Sequence, residues 1–135
     1  MKSLSAYLLG ICASELTVNP RHDKTVYDRM EDKAMSDSRI RHMVIFNLKY
    51  GPEAQETQKF LLDGQAILSA IPTVEKFEVM RQVSAKNDYH FGFSMEFVDQ
   101  AAYDAYSRHP SHVDFVEQRW KKEVTRFLEI DFQHL

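Results

Sequence analysis

Residues 103–116 read YDAYSRHPSHVDFV, with two tyrosines, two histidines, a proline and a phenylalanine close together. Those residue types suit proton transfer at a carbon acid. An unperturbed imidazole titrates at roughly 6.5, so neutral His112 can take a proton from a carbon flanked by carbonyls. A phenol titrates at about 10, so Tyr106 stays protonated at neutral pH and can donate to the developing enolate oxygen. General-base help of this kind is typically worth about 10²–10⁴-fold, enough for an aldol or enolisation step on an acidic substrate. His109 is kept among the candidate binding residues, although its place beside Pro110 also suits a backbone hydrogen bond. Each group has a structural reading too: Tyr106 as a core tyrosine with a satisfied hydroxyl, His112 as an anchor for a helix start.

Two short helices must hold this pair. Asp99 is a good N-cap for a helix over 100–107, because its carboxylate can accept from exposed backbone donors. Pro110 suits the first turn of a second helix and pushes His109 out of helical conformation. The spacing of Val113, Val116, Trp120 and Val124 predicts that this second helix runs to about Thr125 with those four residues buried. Residues 127–132, FLEIDF, read as a final strand.

The first strand starts near Arg39, where Ile40, His42, Val44, Phe46 and Leu48 share one apolar face. His42 is thus a third candidate, for orienting His112 or binding a second carbonyl, or else a satisfied core histidine. After Gly51-Pro52, the residues Thr57, Phe60, Leu61, Gly64, Ile67, Leu68 and Ile71 form a helical stripe, which Pro72 stops. Residues 74–83 alternate again, with Phe77 and Val79 opposed to Lys76, Glu78 and Met80. The turn SAKND at 84–88 leads into Tyr89, Phe91, Phe93, Met95 and Phe97, so the two strands should pair as a hairpin.

The order β-α-β-β-α-β specifies a ferredoxin-like α+β sandwich, an antiparallel sheet with its helices on one face. Met43, Ile45 and Met80 then lie on the uncovered face, which is the expected homodimer interface. Between sheet and helices, Val44, Phe46, Phe77, Phe91, Phe93 and Phe115 are expected to wall a pocket for a small apolar or aromatic molecule.

Composition narrows the function further. The chain has 135 residues, a formal net charge of -3 and one cysteine. That balance gives no reason to expect nucleic acid or an anionic membrane as partner. A lone cysteine cannot form an internal disulfide, so the cytoplasm is the expected location. Residues 1–36 read as a leader outside the folded domain of residues 37–135. The run from Leu4 to Ala13 follows Lys2 but is short for a secretory signal and far too short to span a bilayer. His42, His109 and His112 also raise a metal site, yet the last two straddle a proline and have no motif-spaced carboxylate, so no metal is expected. No phosphate-binding Gly-rich loop or Gly-x-Ser-x-Gly motif occurs.

Taken together, IRHMVIFNLK, FSMEFVD and AYDAYSRHPSHVDF resemble the stress-responsive dimeric α/β-barrel (Dabb) family from about Ile40 to Phe132. The resemblance implies a ferredoxin-like fold dimerising through its sheets, without metal or organic cofactor. It is more distant to plant polyketide cyclases, whose catalytic tyrosine and second histidine in Y-x-x-H-P-x-H match Tyr106 and His112, and whose first-strand pocket histidine matches His42. Phe91 stands where those cyclases have a further pocket histidine, and Gly64 where they have a helix tyrosine, so their substrate does not carry over.

Overall fold

The structure is a computed structural model that describes residues 38–135. The leader and signal-peptide readings of residues 1–36 fall outside those described residues. Strand β1, Ile40–Leu48, buries alternate residues, as a period-two apolar face requires. Helix α1, Gln55–Ser69, has no side-chain cap at Ala54; instead Thr57 Oγ1 donates to the Gly51 carbonyl at 2.8 Å. Its inward positions are Thr57, Phe60, Gly64 and Leu68, whereas Ile67 is partly exposed.

Strands β2, Glu75–Arg81, and β3, Phe91–Phe97, are shorter than the alternating segments of the sequence. A register shift between Glu75 and Glu78, with Lys76 at φ 50, marks a bulge near the start of β2. The link between them is held from outside: Asn47 Oδ1 accepts from the His90 N–H at 2.7 Å and Asn47 Nδ2 donates to the Asp88 carbonyl at 3.0 Å.

Helix α2 spans Gln100–Arg108, and Asp99 caps it by accepting from the Ala102 N–H at 2.8 Å. Pro110 opens helix α3, Pro110–Phe115. The helix expected to run to about Thr125 ends at Glu123, and its geometry changes on the way. A π-helical turn at Val116–Trp120 and a short helix α4, Lys121–Glu123, lead directly into strand β4, Val124–Phe132. The wider π turn rotates the stripe. In α3, before that turn, Val113 is exposed and Phe115 is buried; after it, Val124 pairs with Leu48 as the start of β4.

The four strands are ordered β2-β3-β1-β4, every pairing antiparallel. With the helices on one face, this is the ferredoxin-like arrangement that the element order specifies. The core between the layers is aromatic: Phe46, Phe60, Phe93 and Phe97 are at most 1% exposed. Phe46 meets Phe93 at 4.9 Å and Trp120 at 5.0 Å between ring centroids. Each such buried ring contributes about 1.5–3 kcal/mol from removal of its surface from water. The π turn is bound to α1 by Arg119, which donates to Asp63 and to Glu123, each at 2.6 Å.

Candidate functional site

A cavity of about 350 Å³ lies between the sheet and the helices. The corner at Pro110 places two of its groups. Tyr106, from the last turns of α2, is buried, and its ring centroid is 4.4 Å from that of His112 in the first turn of α3. His112 Nδ1 is 3.0 Å from the Ser107 carbonyl oxygen. A carbonyl can only accept, so Nδ1 carries the proton and neutral His112 presents a bare Nε2 lone pair. Burial is the main cause that pushes His112 below its ordinary value of 6.5, with a smaller contribution from His42 in the same direction. The Tyr106 hydroxyl has no hydrogen-bond partner among the described residues. Burial, reinforced by Tyr103 and Glu129, pushes its phenol well above 10, so it remains a donor through the neutral range.

His42 arrives from the centre of the sheet. Its Nδ1 is 2.7 Å from Asp131 Oδ1 on β4 and 2.9 Å from the Tyr103 hydroxyl on α2. The register explains the first contact, because His42 and Asp131 are directly opposed on neighbouring strands. Its orienting partners are therefore Asp131 and Tyr103; it does not orient His112 through a hydrogen bond. Tyr103 is pushed far above its ordinary value, first by burial and then by Asp131.

Of the residues expected on the wall, Val44, Phe93 and Phe115 line the cavity with His42, Tyr106 and His112. Phe46, Phe77, Phe91 and His109 do not. Phe46 fills the core between Phe93 and Trp120, Phe77 packs on Phe93 at 5.3 Å, and Phe91 lies under the Arg81 guanidinium. His109 Nδ1 accepts from the Ser111 N–H at 3.1 Å and so caps α3.

The rest of the lining is Leu68, Met95, Val116, Trp120, Lys121, Phe127 and Glu129. None of these is a pocket candidate from sequence. Phe127, Glu129 and Asp131 alternate along β4 on the face of Phe46, Val44 and His42, a signal readable only once the β1–β4 register is known. Among the described residues, no group of three or more His, Cys, Asp or Glu side chains is arranged to hold a metal ion. No helix among them is long and apolar enough to cross a membrane.

Fold and site together define a ferredoxin-like α+β protein with a phenol and two imidazoles on the wall of an apolar cavity. Residues 40–134 match the stress-responsive A/B barrel domain, Dabb, and the chain belongs to that family. A Dabb family protein with a ferredoxin-like fold from Mesorhizobium loti is 56% identical, with TM-score 0.72; the match covers 73% of this chain and 98% of that one. Hydroxynitrile lyase from Passiflora edulis is similar at 10% identity and TM-score 0.64, over 73% of this chain and 95% of the lyase. A dimeric ferredoxin-like protein of unknown function from Thermobifida fusca is similar at 16% identity and TM-score 0.62, over 74% and 94%. The last two likenesses concern the fold alone. A comparison with curated proteins finds no match.

Proposed function

We propose that the cavity binds a small apolar or aromatic carbonyl compound and that His112 and Tyr106 act on it, without a cofactor, as base and hydrogen-bond donor. The observation that carries this reading is the convergence of the two groups: rings 4.4 Å apart, both on one cavity, with no hydrogen-bond partner for the phenol among the described residues. Neutral His112 Nε2 takes a proton from a carbon next to a carbonyl. Tyr106, held protonated by burial, donates to the enolate oxygen as charge develops there. The enolate then adds to a second carbonyl of the same molecule or is reprotonated, so the reaction class is aldol-type cyclisation or enolisation. Walls of Val44, Leu68, Phe93, Phe115 and Trp120 exclude water and favour an apolar substrate body.

The test is turnover of aromatic and polyketide-like carbonyl compounds by wild type, His112→Ala and Tyr106→Phe. His112→Ala is expected to lose at least about 10²-fold in rate while remaining folded. Equal turnover by wild type and His112→Ala removes the histidine from the mechanism. Saturable binding with no turnover by wild type leaves a ligand-binding protein without chemistry.

A homodimer through the open sheet face belongs to the same proposal. Met43, Ile45 and Met80 share that face with Leu128, Ile130 and Phe132, three β4 residues that the register adds. An apolar face of this extent, left bare in one protomer, favours burial against a second copy. The dimeric Thermobifida fusca protein shares the fold. Sedimentation at micromolar concentration should give twice the protomer mass; a monomer there would contradict this part. A cytoplasmic location is also proposed, from the single cysteine, and cell fractionation checks it.

A further inference from the structure

We propose that His42 is a second proton-carrying group of the cavity, held by Asp131 and Tyr103 so that its Nε2 serves the substrate opposite His112. This rests on the acid–base reading of the cavity and assigns the site a transfer between two positions of one molecule.

The proton count around His42 Nδ1 decides its tautomer. Asp131 Oδ1 lies 2.7 Å away and the Tyr103 hydroxyl 2.9 Å away. A carboxylate can only accept, so a bare Nδ1 at 2.7 Å would set two lone pairs against each other. Nδ1 must therefore carry the proton and donate to Asp131. The Tyr103 hydroxyl then offers its oxygen lone pair to the same Nδ1–H. Two partners on one ring nitrogen fix both tautomer and ring orientation.

The opposite nitrogen is left free. His42 is buried, lines the cavity, and its Nε2 has no hydrogen-bond partner among the described residues. Nor is that nitrogen among the sealed, unpartnered atoms of the core, and His42 is one of the residues that line the cavity. Tyr106 is near both imidazoles, 6.3 Å from His42 and 4.4 Å from His112 by ring centroids.

Their surroundings differ in charge. His112 Nδ1 faces a neutral carbonyl, whereas His42 Nδ1 faces a carboxylate that supplies the counter-charge for an imidazolium. That asymmetry assigns the roles. His112 Nε2 accepts the proton leaving carbon, and the C–H electron pair passes into the enolate stabilised by Tyr106. Protonated His42 returns a proton from Nε2 to a second atom of the enolate, carbon or oxygen. Afterwards His112 gives its proton to water and His42 takes one from water, so the substrate is isomerised with no atom gained or lost. Asp131 and Tyr103 touch no substrate in this scheme; they are positioning residues.

Two measurements test this, and they fail independently. The first is the long-range ¹H–¹⁵N NMR spectrum of the neutral imidazoles. Wild type should show His42 with Nδ1 protonated and Nε2 bare, and Asp131→Asn should lose that single tautomer. A wild-type neutral His42 that carries its proton at Nε2, with Nδ1 bare, overturns the inference whatever the enzyme does. The second is keto-to-enol conversion of 2,4-pentanedione, in which the central carbon loses a proton and an oxygen gains one, read as rate at saturation and as half-saturating concentration. His42→Gln and Asp131→Asn should each slow conversion at saturation by about 10-fold or more, with half-saturation little changed. Wild-type rates in both variants overturn the inference. If wild type itself does not speed conversion, the acid–base reading of the cavity fails, and with it the proposed transfer.

Discussion

Gly64 on α1 lines no part of the cavity, yet it should set the cavity's depth. A Cβ added there would lie 2.8 Å from Phe93 Cζ, 3.1 Å from Phe93 Cε2 and 3.2 Å from Phe115 Cζ. The first distance is shorter than real Cβ contacts, so Gly64→Ala must displace at least one ring. Phe93 and Phe115 both line the cavity and are otherwise closely packed, so the space open to them is the cavity itself. Two energies oppose. Alanine gains about 1 kcal/mol over glycine in a helix interior. Overpacking of a filled core costs about 1–3 kcal/mol. The structural cost wins, and the variant should be less stable by about 1 kcal/mol, within the range set by those two terms. Urea unfolding at constant slope reads that number. In parallel, the affinity of the cavity for a bulky fluorescent apolar probe should fall by more than its affinity for a small one. A variant stabilised by about 1 kcal/mol, with both affinities unchanged, would show that the rings yield freely and would refute the reasoning.

Three further outcomes depend on particular contacts. Because burial lowers His112 from 6.5 in the folded state, the unfolded chain binds more protons between that lowered value and 6.5. Stability should therefore fall as pH drops through this window, His112→Gln should remove that part of the slope, and an NMR titration midpoint at or above 6.5 would contradict the burial argument. Asn47→Ala removes two hydrogen bonds that hold the loop before β3, at about 1 kcal/mol each, so a loss of about 2 kcal/mol is expected in urea unfolding; a loss near zero would mean that water replaces both. Ile45→Glu on the open face should yield a folded monomer in sedimentation, since a bare carboxylate facing a second copy is costly; an unchanged dimer mass would place the interface elsewhere.

The strand faces are legible because their signal is local. Period-two alternation from Ile40 to Leu48 and from Phe91 to Phe97 corresponds to the buried rows of the sheet. Asp99 and Pro110 mark their helix starts by local backbone chemistry in the same way. The π turn inside the helix after Pro110 is not legible, because it changes the period from 3.6 and valine spacing alone does not reveal it. Val113, expected inward, is exposed, whereas Phe115 is buried. The wall differs as well, since Phe46, Phe77 and Phe91 lie on the correct strands but fill the core rather than the cavity.

By itself, the amino-acid order determined the element sequence, the sheet faces and the Tyr106–His112 corner, all of which depend on residues within a turn or two of one another. Only the tertiary structure decided that Asp131 and Tyr103 grip His42, that β4 supplies Phe127 and Glu129 to the cavity, and that Gly64 lies against two of its rings. The His42–Asp131 contact joins residues 89 positions apart, and its partner is chosen by strand register. Register comes from burying two faces at once, a condition that no single stretch of chain contains.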